Sequence, residues 1–182
     1  LTPRPIYRAD GGKVFDIHSW PPEIRPKIKE DLGDFPFPSF WGPMAGLPST
    51  EWIARSAMWI EDRHWPNLSL VYLPHLDYDF QRHGPDGPEA AAALRELDVV
   101  LGALIDFYKE RAVKVIVLSE YGITPVEQPV HLNRLFRERG WIAWRDELDT
   151  EVIDPGASRV FAVADHQLAH VYVNDPSLHA EV

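Results

Sequence analysis

Two apolar runs, Leu68 to Leu73 and Val115 to Leu118, have none of the polar alternation of a half-exposed strand, so they predict strands buried on both faces. Between them Leu94, Leu97, Leu101, Leu104 and Tyr108 recur three or four residues apart behind Pro88, the pattern of a long amphipathic helix. Trp52, Ile53, Ala57 and Ile60 predict an earlier helix, capped by Ser49 or Thr50 and running to about Arg63. A short helix is expected after Pro22 and before Gly33, and another from Val130 to Arg139, stopped by Gly140. Trp141 to Trp144, Arg159 to Val163 and His170 to Val173 read as further strands, and Asn174-Asp175-Pro176 as a helix start. This alternation predicts an α/β fold with a mostly parallel sheet flanked by helices. Residues 1–48, crowded with proline and aromatics, predict an irregular wrapping segment, 49–182 the α/β core portion, and 1–182 a single domain.

Composition narrows the function classes. With 28 acidic against 18 basic residues the chain carries a net charge of −10, which disfavours a nucleic acid polymer as partner and leaves small molecules. No stretch approaches the roughly 20 apolar residues of a membrane span, so a protein without membrane contact is expected, with the cytoplasm as compartment. The chain holds no cysteine, so a metal would need Asp, Glu, His, Tyr or Gln as ligands. Leu1 in place of Met, and an end at Val182 soon after a helix start, read as a fragment of a longer protein.

In an open α/β sheet the chemistry gathers beyond the carboxyl ends of the strands. The loop after Leu73 runs Pro74-His75-Leu76-Asp77-Tyr78-Asp79-Phe80-Gln81-Arg82-His83-Gly84-Pro85, and the loop after Leu118 runs Ser119-Glu120-Tyr121-Gly122. Both supply oxygen and nitrogen donors directly after a predicted buried strand. A glycine-rich phosphate loop is absent, which lowers an unrelated nucleotide-binding α/β domain.

These loops resemble the alkaline phosphatase superfamily, and within it the type I phosphodiesterase/nucleotide pyrophosphatase family. There the first loop carries an Asp, a His four residues later and a Gly-Pro three beyond that, and the second reads Ser-Asp-His-Gly. Asp77, Gly84-Pro85, Ser119 and Gly122 match, and the helix around Asp98 is similar to the segment joining the loops. Gln81, Glu120 and Tyr121 stand where the family has His, Asp and His. Ser-Glu-Tyr-Gly and the run Ala164 to Gln167 resemble a bacterial branch of the superfamily. The resemblance implies an alkaline phosphatase-like fold and hydrolysis of phosphodiesters, phosphomonoesters or nucleotide pyrophosphates. It implies a divalent metal, zinc in the family, held here by Asp77, Glu120 and Tyr121, with Gln81, His83 and His166 toward a small-molecule phosphoester substrate. Two zinc ions about 4 Å apart and a Thr or Ser nucleophile do the family's chemistry. Nucleophile and one Asp ligand lie upstream of the matched region in the family and a His lies downstream, so this piece alone is expected to be inactive. With amide and phenol replacing imidazole, the donors suit Mg or Mn at least as well as Zn.

Each residue also has a purely structural reading. Asp77 caps a turn in that alternative, Glu120 pairs with an arginine, Tyr121 closes the core and His83 is an exposed loop histidine. Asp165, His166 and His170 imitate a metal motif, but on one strand the two histidines would stand roughly 13 Å apart at about 3.3 Å per residue. His170 is therefore expected in the core. His131, near Asn133 and Arg134, would approach the second loop. The alternative to an enzyme is a non-catalytic or pseudo-enzyme ligand-binding domain on the same fold.

Overall fold

The expected helices form, but the expected sheet does not. The computed structural model describes all of residues 1–182, and these gather into two compact units, Leu1–Pro125 and Val126–Val182, where the sequence reads as one domain. The first unit opens with a hairpin of β1 (Thr2–Tyr7) and β2 (Lys13–His18), then α1 (Ile24–Leu32) and a 3₁₀ turn (Phe37–Ser39). It continues with α2 (Leu47–His64), α3 (His75–His83) and α4 (Pro88–Glu110). The second holds α5 (Leu132–Glu138), hairpins β3 (Trp144–Glu147) with β4 (Thr150–Ile153) and β5 (Val160–Asp165) with β6 (Leu168–Val173), and a 3₁₀ turn (Pro176–Leu178).

Every strand pair is an antiparallel hairpin between chain neighbours, so the parallel sheet expected from the sequence is absent. Leu68 to Leu73 and Val115 to Leu118 carry no regular secondary structure, and neither makes a backbone–backbone hydrogen bond. Leu70 is 89% exposed and Leu118 85%. The physical reason is that an apolar run encodes a wish for burial without encoding its partner, and a strand exists only as half of a pair. Here each run lies extended without one.

Residues 1–48 also depart from the irregular wrap. Phe35, Phe37 and Phe40 join Ile17, Ile24, Ile28, Trp52 and Trp59 as the buried core of the first unit. Phe35 meets Trp52 edge-on at 5.2 Å, and Trp52 Nε1 donates to the Gly33 carbonyl at 3.2 Å. The prolines thus shape a core-building segment. Buried Asp16 on β2 fastens the hairpin to α1 through the Arg25 guanidinium and, at 3.1 Å, Lys29 Nζ. Ser49 is not an N-cap. Helix α2 starts two residues earlier with Pro48 in its first turn, and Ser49 Oγ donates to the Ser39 and Gly46 carbonyls. Ala54, Leu104 and Tyr108 pack α2 against α4.

In the second unit Phe136, Trp141, Val160, Ala162 and Leu178 form the core. Asn133 on α5 exchanges hydrogen bonds with the Ala162 backbone at 2.7 and 2.8 Å, taking the place of a strand neighbour for β5.

Candidate functional site

The segment after Leu73 is a helix rather than a loop. Asp77 lies in the first turn of α3, where the positive end of the helix dipole favours a carboxylate. Gln81 follows one turn later on the same face, and its Nε2 donates to Asp77 Oδ1 at 2.9 Å. Gly84 ends the helix at φ 75 and ψ 167, backbone space that only glycine occupies readily.

Tyr121 arrives from the extended segment beyond Leu118. Its hydroxyl donates to the same Asp77 Oδ1 at 2.6 Å, and Ser119 Oγ bonds the Tyr121 carbonyl at 2.6 Å, curling the chain around Glu120. The bond to Asp77, then burial, then the charges of Asp77 and Glu120 push the Tyr121 phenol far above its ordinary range. It stays protonated. Tyr72, an aromatic inside the first apolar run, stands beside Tyr121. Burial first, then the charges of Asp77 and Glu120, raise its phenol too. Asp77, Gln81, Glu120, Tyr121 and Tyr72 therefore share one neighbourhood, formed by α3 and two extended segments rather than by the ends of paired strands.

The structural alternatives meet specific observations here. Glu120 forms no ion pair, Tyr121 is 51% exposed rather than closing a core, and Asp77 accepts from two side chains instead of capping a turn. His83 ends α3, its exposed side chain making no hydrogen bond. His166 belongs to the second unit, in the turn between β5 and β6 at φ 54, with Nδ1 at 2.7 Å from Asp165 Oδ1. His170 is exposed on β6 opposite Val163, not in the core, because the Asp165 to His170 run bends into a hairpin. His131 precedes α5, exposed and making no cap bond, and Asp98 is exposed on α4.

His75 went unnoticed in the sequence, where nothing about its spacing marks it. It is 5% exposed at the start of α3, with Nε2 at 3.1 Å from Glu96 Oε2 on α4 and 4.0 Å from Asp79. Asp79 also receives Arg82, which reaches back to the Pro43 and Ala45 carbonyls. This network braces α3 on the side away from Gln81.

Nowhere do three or more His, Asp and Glu side chains gather around one point as an ion would need. The neighbourhood holds two carboxylates, two phenols and an amide, and the oxygens left to face a cation are carboxylate oxygens, which suit a hard divalent ion at least as well as zinc.

Helices with small antiparallel hairpins, and a carboxylate-and-phenol cluster on the first unit, define a mixed helix-and-strand chain with an acidic polar site. The chain matches the type I phosphodiesterase/nucleotide pyrophosphatase family over residues 3–181, and it belongs to that family. It is 38% identical over 87 residues to an uncharacterised pyrophosphatase/phosphodiesterase of Schizosaccharomyces pombe, a stretch covering 44% of this chain and 17% of that relative. No solved structure matches the chain. No helix is long and apolar enough to cross a membrane.

Proposed function

We propose that the protein to which this chain belongs hydrolyses phosphodiester, phosphomonoester or nucleotide pyrophosphate bonds of small molecules. A divalent cation would be held by Asp77 and Glu120, with Tyr121 beside them and Gln81 and His83 toward the substrate. The observation that carries this reading is the meeting of Asp77, Gln81 and Tyr121, from positions 44 residues apart in the Tyr121 to Asp77 bond, in a chain of this family. When bound, such a cation draws charge from a phosphoryl oxygen and favours attack at phosphorus. The residues themselves supply negative charge and fixed hydroxyls around that point.

The test is hydrolysis of a chromogenic phosphodiester by the full-length protein after dialysis against Mg, Mn or Zn. Turnover that depends on the ion and disappears with Glu120→Gln supports the proposal. A folded, ion-loaded protein without turnover on diester, monoester or pyrophosphate substrates would sink it. The second reading, a ligand-binding pseudo-enzyme, is favoured by one observation, the lack of a third His, Asp or Glu beside Asp77 and Glu120. That outcome would show as phosphoester binding without turnover.

A further inference from the structure

One oxygen of Asp77 is already occupied by the protein. The Tyr121 hydroxyl donates to Oδ1 at 2.6 Å and Gln81 Nε2 donates to the same atom at 2.9 Å, while Oδ2 receives neither. An ionised carboxylate only accepts, so Gln81 must present its NH₂ rather than its carbonyl, and the Tyr121 proton must lie on the line to Asp77. A carboxylate oxygen offers about two lone-pair positions, and both on Oδ1 are taken.

From this geometry we infer that Tyr121 and Gln81 are positioning residues for Asp77: they close Oδ1, so that the carboxylate meets a cation through Oδ2 alone. The Ser119 bond to the Tyr121 carbonyl helps to set the phenol's approach. The cation half of the inference rests on the proposed function, whereas the hydrogen-bonded half stands in the ion-free protein.

Two measurements separate the halves. The first is a double-mutant cycle of Tyr121→Phe and Asp77→Ala in chemical unfolding without metal, combined with NMR of the Tyr121 hydroxyl proton and the Gln81 side-chain amide. The expected result is a coupling of about fivefold or more in the unfolding constant, a protected hydroxyl proton, and Gln81 amide shifts that move in Tyr121→Phe. Additive effects and unmoved shifts would overturn the inference. The second is Mn²⁺ titration followed by electron paramagnetic resonance. Tyr121→Phe is expected to bind within about threefold of wild type, while Glu120→Gln and Asp77→Ala each lose about tenfold or more. A loss in Tyr121→Phe equal to that in Glu120→Gln would make Tyr121 a ligand and overturn the claim. Should wild type bind no Mn²⁺, the metal reading fails for this chain, and the first measurement alone decides whether Tyr121 and Gln81 hold Asp77.

Discussion

The surroundings of Asp77 and His170 differ in kind. Asp77 sits at the positive end of a helix with two side chains donating to it, whereas His170 is exposed on a hairpin and makes no side-chain hydrogen bond. In the full-length protein Asp77→Ala is expected to lower turnover by about two orders of magnitude or more, and His170→Ala by less than about threefold, as steady-state kinetics on folded variants would read. Asp77 stands out in the sequence because its spacing to Gly84-Pro85 resembles the first loop of the family. Tyr72 and His75 do not, since each matters through a neighbour far along the chain. Asp16 supplies a stability test of the same kind. Burial raises its carboxyl, but the Arg25 guanidinium, the Ile17 amide and Lys29 outweigh burial and hold it at about 2. Its folded value lies below the unfolded one, so its contribution is complete above about pH 4 and disappears as pH falls through about 2. Urea unfolding should therefore show Asp16→Asn less stable than wild type by on the order of 2 kcal/mol at pH 7, a gap that closes toward pH 2.

The sequence carries the long helices and the β5 and β6 strands more plainly than the strand pairing, for a reason visible in particular elements. The spacing of Leu94 to Tyr108 specifies α4 because a helix satisfies its own backbone. Leu68 to Leu73 specifies only burial, and its pairing depends on chain far away. Polar residues crowd helix α3 and give it the look of a loop in the sequence, yet its dipole and its Gly84 end make it the element that sets Asp77, Gln81 and His83 in order. Replacing Gly84 tests that role. An added Cβ meets nothing within 4 Å, so Gly84→Ala isolates the cost of φ 75 and ψ 167 for a side-chain residue. We expect a loss of about 1 to 3 kcal/mol by thermal or urea unfolding. A neutral result would mean that α3 ends in another conformation in solution.

At the scale of the whole molecule, cohesion is uneven. The first unit is held by its aromatic core and the second by the Phe136, Trp141 and Val160 cluster, while from Lys114 to Val130 no backbone–backbone hydrogen bond is made. Hydrogen exchange should separate these regions cleanly, with amides from Lys114 to Val130 exchanging near the free-chain rate and those of α2 and α4 protected by several orders of magnitude. Protection throughout Lys114 to Leu118 would show a strand partner that this arrangement lacks. The same stretch has a colloidal consequence. Val115, Ile116, Val117 and Leu118 form a proline-free apolar run, β-branched at its first three positions and with open donors and acceptors, a template onto which the same run of another molecule can add. At pH 7 the net charge of −10 keeps such encounters rare, but near the sequence pI of about 5.2 that repulsion vanishes. Light scattering should climb as a solution is taken from pH 7 to pH 5, and Val117→Lys, which sets a charge in the middle of the template, should keep it clear.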